Sequence, residues 1–127
     1  MTDRPTQVFF DGGCRPNPGM IEVAAVARGV VQIVEDLGEG DCLDAEWLAL
    51  LHAVGVGQAL GGAYEVIGDC RVVIDAAAGR GPCRGAKAQA HLARFLALSA
   101  AAPPVRIRWV RRAQNLAGIA LNARHPR

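Results

Sequence analysis

The chain has 127 residues and a mass of 13.3 kDa, the size of one domain, with 51% hydrophobic and 20% charged residues, which excludes a disordered chain and a disulfide-stapled scaffold. Fourteen basic residues, 13 of them arginine with Lys87 the single lysine, stand against 12 acids, and the net charge of +2 permits a nucleic-acid partner without demanding one. Cys14, Cys42, Cys70 and Cys83 show no C-x-x-C spacing, and no run approaches a membrane span or a secretory signal, so a cytoplasmic protein with reduced thiols and no zinc site is expected.

Val8-Phe9-Phe10 reads as a strand that ends in a turn at Asp11-Gly12-Gly13, and Pro16, Pro18 and Gly19 break any regular structure after that turn. From Glu22 to Leu37 a Val- and Ala-rich stretch interrupted at Arg28-Gly29 suits a hairpin, which makes three antiparallel strands. Gly38 to Leu43 is a polar loop, and Asp44 caps an apolar helix from Ala45 to Leu60 that closes at Gly61-Gly62. Tyr64 to Ile67 is a buried strand, Arg71 to Ala77 a short helix, 79 to 85 a loop, and Ala86 to Ala100 a long helix bounded by Pro103-Pro104. Val105 to Val110 forms the last strand, and a loop through Gln114 leads to a helix from about Asn115 to Ala123. The order βββαβααβα implies one α/β domain over residues 1–127, a mixed sheet with helices on both faces.

Three acids hold comparable positions: Asp11 at the end of the first strand, Glu46 in the first turn of the first long helix, and Asp69 at the end of the fourth strand. Taken singly each has a structural explanation, as a turn residue, a favourable first-turn charge and a helix N-cap. If the first and fourth strands are parallel neighbours, however, Asp11 and Asp69 lie side by side and the helix can bring Glu46 to the same point. Carboxylates so gathered repel one another and call for a cation, and hard oxygen donors specify Mg²⁺ or Mn²⁺.

The stretches Phe10-Asp11-Gly12-Gly13-Cys14-Arg15-Pro16-Asn17-Pro18-Gly19, Ala45-Glu46-Trp47-Leu48-Ala49-Leu50-Leu51 and Gly68-Asp69-Cys70-Arg71-Val72-Val73-Ile74 resemble, in order and spacing, the motifs of the type 1 ribonuclease H family. Trp109 to Leu121 is similar to that family's last loop and helix, so the resemblance spans nearly the whole chain. It implies a ribonuclease H-like fold with a five-stranded mixed sheet, three strands antiparallel and then two parallel. It also implies two-metal hydrolysis of the RNA strand of RNA–DNA hybrids, with Asp11, Glu46 and Asp69 as metal-binding and catalytic acids. Gly12, Cys14 and Asn17 match the turn that reads the RNA 2′-hydroxyl in the minor groove. Arg71, Arg84 and Lys87 are candidate contacts to the nucleic acid, with Arg80 beside them.

Three departures stand out against the family pattern. The position of the fourth metal-binding acid holds Ile119, which leaves water, a substrate phosphate, or an amide oxygen of Asn115 or Asn122 to make up the ligand; the substrate loop before Ala45-Glu46 is Asp41-Cys42-Leu43; and the basic helix some members carry is absent. The alternative these departures open is a catalytically weak or inactive nucleic-acid-binding module on the same fold. The loop before the last helix lacks the family's histidine, and His52, His91 and His125 receive no catalytic role, while Trp47 and Trp109 are expected in the core.

Overall fold

A computed structural model describes residues 4–125. Its strands are β1 (Thr6–Cys14), β2 (Gly19–Ala27), β3 (Val30–Val34), β4 (Glu39–Gly40), β5 (Tyr64–Gly68) and β6 (Arg106–Trp109), and its helices α1 (Cys42–Leu60), α2 (Arg71–Ala77), α3 (Ala86–Ser99) and α4 (Leu116–Ala123). The sheet runs β3-β2-β1-β5-β6, antiparallel among the first three and parallel from β1 to β6, with the two-residue β4 paired to β2 beside this path. The expected mixed sheet is thus present, and the first and fourth predicted strands are parallel neighbours.

The period-two alternation of β1 and β5 divides their side chains between two cores. Val8, Phe10, Tyr64 and Val66 join Trp47, Leu50, Val54, Ile74 and Phe95 beneath α1, α2 and α3. On the opposite face Ala24 and Val26 pack with Ala117 and Leu121 of α4, and Phe9 and Ile33 close against them. Asp11 shares the parity of Phe9, and Asp69 that of Ile67 just beyond β5, so both acids belong to the α4 face. The pairing of Phe9 with Ile67, carried two residues further, brings Asp11 to Asp69.

Several boundaries differ from the sequence reading. β1 runs through Asp11-Gly12-Gly13 to Cys14 because β2 pairs with it from Val8 to Cys14, the last opposite Ile21, so Asp11 is a strand residue and not part of a turn. The segment 41–43 belongs to α1: Asp41, not Asp44, is the N-cap, and the two form a reciprocal capping box in which Asp41 Oδ1 accepts from Asp44 N–H at 2.8 Å and Asp44 Oδ2 from Asp41 N–H at 3.0 Å. Glu46 is therefore past the first turn. At α2 the N-cap is Cys70 and makes no side-chain cap bond, so Asp69 is not a cap either. The structural explanation of each acid taken alone fails.

Asp44 also joins α1 to α3. Its buried carboxylate meets Lys87 Nζ at 2.8 Å and His91 Nε2 at 2.9 Å, and the His91 ring stacks on Trp47 with centroids 6.1 Å apart. Burial alone would raise the Asp44 pKa, but the hydrogen bonds from Lys87, His91 and the Asp41 N–H outweigh it and hold the carboxyl well below its usual range. A folded pKa depressed in this way contributes stability that is complete above the unfolded value of about 3.9 and is lost as pH falls from there through the folded value. Asp44→Ala should therefore cost about 2 kcal/mol in urea unfolding at pH 7, with the gap to the wild type narrowing below about pH 4. A constant gap across that range would mean the ion pairs contribute nothing.

Candidate active site

The acidic cluster forms where β1 outruns its parallel partner. Asp11, Glu46 and Asp69 each present a carboxylate oxygen, and these atoms lie within 4.8 Å of one another. Glu46 reaches the sheet edge because β1 approaches α1 without a side chain at Gly12, where a Cβ would overlap the Ala45 carbonyl. The Gly12 N–H then donates to Glu46 Oε1 at 2.9 Å. Asp69 is held from the other face: Asn115, fully buried, donates from Nδ2 to the Phe10 carbonyl at 2.9 Å and to Asp69 Oδ1 at 3.1 Å. The Asn115 Oδ1, one of the substitute ligands the sequence suggested, accepts from the Ala117 N–H as the N-cap of α4 and is thus engaged by the backbone. The Trp109 indole N–H donates to the Asp69 carbonyl at 3.0 Å and fixes the backbone there.

Asp11 is almost completely buried. Its Oδ1 accepts from Arg112 at 2.7 Å, while Oδ2 is buried and has no hydrogen-bond partner among the described residues. Arg112 Nη1 also lies 3.1 Å from Asp69 Oδ2, so a single guanidinium bridges two of the three acids. Gly118 makes room for it: a Cβ there would stand 3.1 Å from Arg112 Nη1. Arg112 escaped the sequence reading, which looked in this loop for a histidine; the available signal was a cation three residues before the capping Asn115, with a glycine one turn beyond. Asn122 lies alongside, its Oδ1 accepting from Arg112 at 3.4 Å and from Arg15 at 3.3 Å. Ile119 leaves half its surface in solvent.

The protonation pattern follows from burial and charge. Burial and then the charge of Asp11 push the Glu46 carboxyl up to about 8, against the opposing hydrogen bond from Gly12. Burial is also the largest influence on Asp11 and leaves it above its usual value although Arg112 acts the other way. For Arg112 burial is outweighed by its bonds to Asp11 and Asp69, which hold the guanidinium more firmly protonated than usual. An all-oxygen donor set with one buried, unpartnered carboxylate oxygen fits a hard divalent cation.

The remaining predicted residues divide. Cys14 is buried at the end of β1, and Asn17 beside it is exposed, its Oδ1 accepting from the Cys42 N–H at 3.2 Å and the Cys14 thiol at 3.4 Å. The Gly12 N–H, bonded to Glu46, is not presented outward. Arg71 lies over the Trp109 ring at 4.0 Å, and Lys87 is engaged by Asp44 and Asp41, so it does not form an unpaired basic cluster with Arg84. Arg80 faces Asp75 at 3.8 Å. Trp47 is a core residue as expected, whereas Trp109 is half-buried. His91 holds Asp44, His125 meets Glu22 at 2.7 Å, and His52 is half-buried within α1.

No family model and no curated protein sequence matches the chain. Solved structures do. RNase H1 from the halophilic archaeon Halobacterium salinarum NRC-1 superposes with a TM-score of 0.80 at 23% identity, over 93% of this chain and 94% of that one. The N-terminal RNase H domain of a Mycobacterium tuberculosis protein, solved as a fusion with maltose binding protein, gives 0.76 at 25% identity over 95% and 96%. LC11-RNase H1 in complex with an RNA/DNA hybrid gives 0.77 at 20% identity over 91% and 92%. The chain has the type 1 ribonuclease H fold.

Proposed function

We propose that the chain is a divalent-metal-dependent endoribonuclease that hydrolyses the RNA strand of RNA–DNA hybrids. The observation that carries this reading is the convergence of Asp11, Glu46 and Asp69 within 4.8 Å, with a buried oxygen of Asp11 unpartnered among the described residues. The complex of the structurally similar LC11-RNase H1 with an RNA/DNA hybrid supports the choice of substrate. Asp11, Glu46 and Asp69 would hold two Mg²⁺ or Mn²⁺ ions, and such ions, when bound, supply an activated water and stabilise charge on the leaving 3′-oxygen.

The chain's own residues do the positioning. Gly12 orients Glu46 through its N–H, and Asn115 ties Asp69 to the middle of β1 at the Phe10 carbonyl. Asn17, exposed and with its carbonyl oxygen engaged, keeps its amide hydrogens for a 2′-hydroxyl. Arg15, Arg84 and Arg111 are exposed cations suited to phosphates, which makes binding salt-dependent, whereas Lys87 contributes only after leaving Asp44. We place the protein in the cytoplasm; among the described residues no helix is long and apolar enough to cross a membrane.

A second reading, a binding module without activity, draws on Arg112 occupying the cluster and on Ile119 in place of an acid. Incubation with labelled hybrid, single-stranded RNA and duplex RNA in Mg²⁺ and in Mn²⁺ separates the two. The proposed enzyme cuts the RNA of the hybrid alone, and Asp69→Asn, which keeps the shape of the side chain, lowers cleavage by about a hundredfold or more. Hybrid binding without cleavage in either metal would establish the module.

Arg112 gives a test that needs no substrate. Removing it leaves Asp11 buried without its counter-charge, a loss of several kcal/mol for a fully buried pair, reduced here because the Arg112 side chain is 51% exposed. Arg112→Ala should lower metal-free stability by about 1–2 kcal/mol, and Mn²⁺ should raise its melting temperature more than it raises that of the wild type, because the ion no longer competes with a guanidinium. Equal metal-induced shifts in the two proteins would show that Arg112 and the ion do not share the site.

A further inference from the structure

The sulfur atoms of Cys14 and Cys42, 28 positions apart in the chain, lie 3.8 Å from each other. Cys14 is buried as the last residue of β1, and Cys42 is exposed as the first residue of α1. Asn17 clasps both, accepting from the Cys14 thiol and from the Cys42 N–H. A disulfide spans about 2.05 Å between sulfurs, so closing the pair requires these atoms, already 3.8 Å apart, to draw nearer by side-chain rotation or a shift of the first turn of α1. Neither sulfur has a task in phosphodiester hydrolysis.

We propose that Cys14 and Cys42 are a redox-active dithiol, oxidised by a hydroperoxide to a disulfide that weakens binding of the nucleic acid. The consequence for binding rests on the substrate surface assigned under the proposed function. In the first step the accessible Cys42 thiol attacks the peroxide; its sulfur gains oxygen as a sulfenic acid, the O–O bond breaks, and one water leaves when the oxidant is hydrogen peroxide. In the second step Cys14 sulfur attacks Cys42 sulfur; the S–S bond forms, the S–O bond breaks, and the thiol proton leaves with the hydroxyl as a second water. Two thiols are oxidised by two electrons and one peroxide is reduced to two waters. Burial, then the Cys42 sulfur beside it, hold the Cys14 thiol above its ordinary pKa, which suits Cys14 to the resolving step and leaves the exposed residue to meet the oxidant.

The location gives the bond its effect. Oxidation removes the hydrogen that Cys14 donates to Asn17 and draws the start of α1 toward the end of β1. Asn17 then no longer stands where its amide was set for the 2′-hydroxyl. In a reducing compartment such a pair is open by default and closes only under oxidant, the regime in which intracellular disulfides act as sensors.

Peptide mapping under non-reducing conditions, after brief exposure to hydrogen peroxide and alkylation of the remaining thiols, tests the chemistry. The expected product joins the Cys14 and Cys42 peptides and is reopened by dithiothreitol. Cys70→Ala/Cys83→Ala should still form it, and Cys42→Ser should not. Fluorescence anisotropy with a labelled RNA–DNA hybrid, in EDTA so that no cleavage occurs, reads the effect on binding. The Kd of the oxidised protein should rise about fivefold, the worth of one neutral hydrogen bond, and that of Cys42→Ser should ignore peroxide. Links between other cysteines or between chains, Cys14 and Cys42 both left alkylated, or a linked protein with unchanged Kd would each overturn the proposal. A chain that forms the bond but binds no hybrid in either redox state would instead defeat the assigned substrate and the binding consequence with it, while the map still establishes the dithiol.

Discussion

Three carboxylates within 4.8 Å of one another set the terms for everything around them. Two unit charges 4 Å apart repel by about 4 kcal/mol at the effective dielectric of a protein surface, and more when one of them is buried as Asp11 is. The chain meets this cost without a metal by several routes at once. Arg112 bridges Asp11 and Asp69, the N–H groups of Gly12 and Asn115 point at Glu46 and Asp69, and burial together with the charge of Asp11 pushes the Glu46 carboxyl toward its neutral form. Each route requires a particular element in a particular place: a strand that runs past its parallel partner, a helix close enough to need a glycine beneath it, and a capped α4 whose first turn admits an arginine.

Much of this was legible in the sequence because it rests on local periodicity and chain order. The β-rich first third and the later alternation of strand and helix are enough to put Asp11 and Asp69 on neighbouring parallel strands, and the register of β1 against β5 does so. What escaped was long-range pairing. Nothing within the first 14 residues shows that β1 continues through three turn-prone residues, since its extension is held by β2, which begins earlier than the Glu22 suggested by the hairpin pattern. The start of α1 is hidden for a related reason: Asp41 and Asp44 are both good caps, and only their mutual bonding assigns Asp41 the N-cap.

Charge was the least legible property. Lys87 and Arg84 look alike as solvated cations on a basic loop, yet Lys87 lies against a buried carboxylate 43 residues earlier and Arg84 does not. Arg112 shows the opposite case, a residue in an exposed turn whose partners are 101 and 43 positions away. Sequence spacing carries no record of such contacts, because a long flexible side chain reaches whatever the fold brings near it.

Arg112, Gly118 and Ile119 are best understood together. An acid at 119, where the resemblance places a fourth ligand, would add another negative charge to the cluster and a further opponent to its burial. With isoleucine there the acids number three, and one guanidinium reaching two of them, alongside a Glu46 carboxyl pushed toward its neutral form, offsets much of the negative charge of the metal-free cluster. Gly118 leaves the guanidinium room, since a Cβ at 118 would stand 3.1 Å from Nη1 and oblige it to shift by a few tenths of an ångström. On the proposed reading this offset has a direct consequence for cation binding. A dication gains from the unpartnered Asp11 oxygen but must displace Arg112, release the proton from Glu46, or both, so the same contacts that make the metal-free protein tolerable also reduce its affinity for the ions. The loss of one ligand and the presence of an internal cation thus act in the same direction, toward a site that fills at higher metal concentration than four bare carboxylates would.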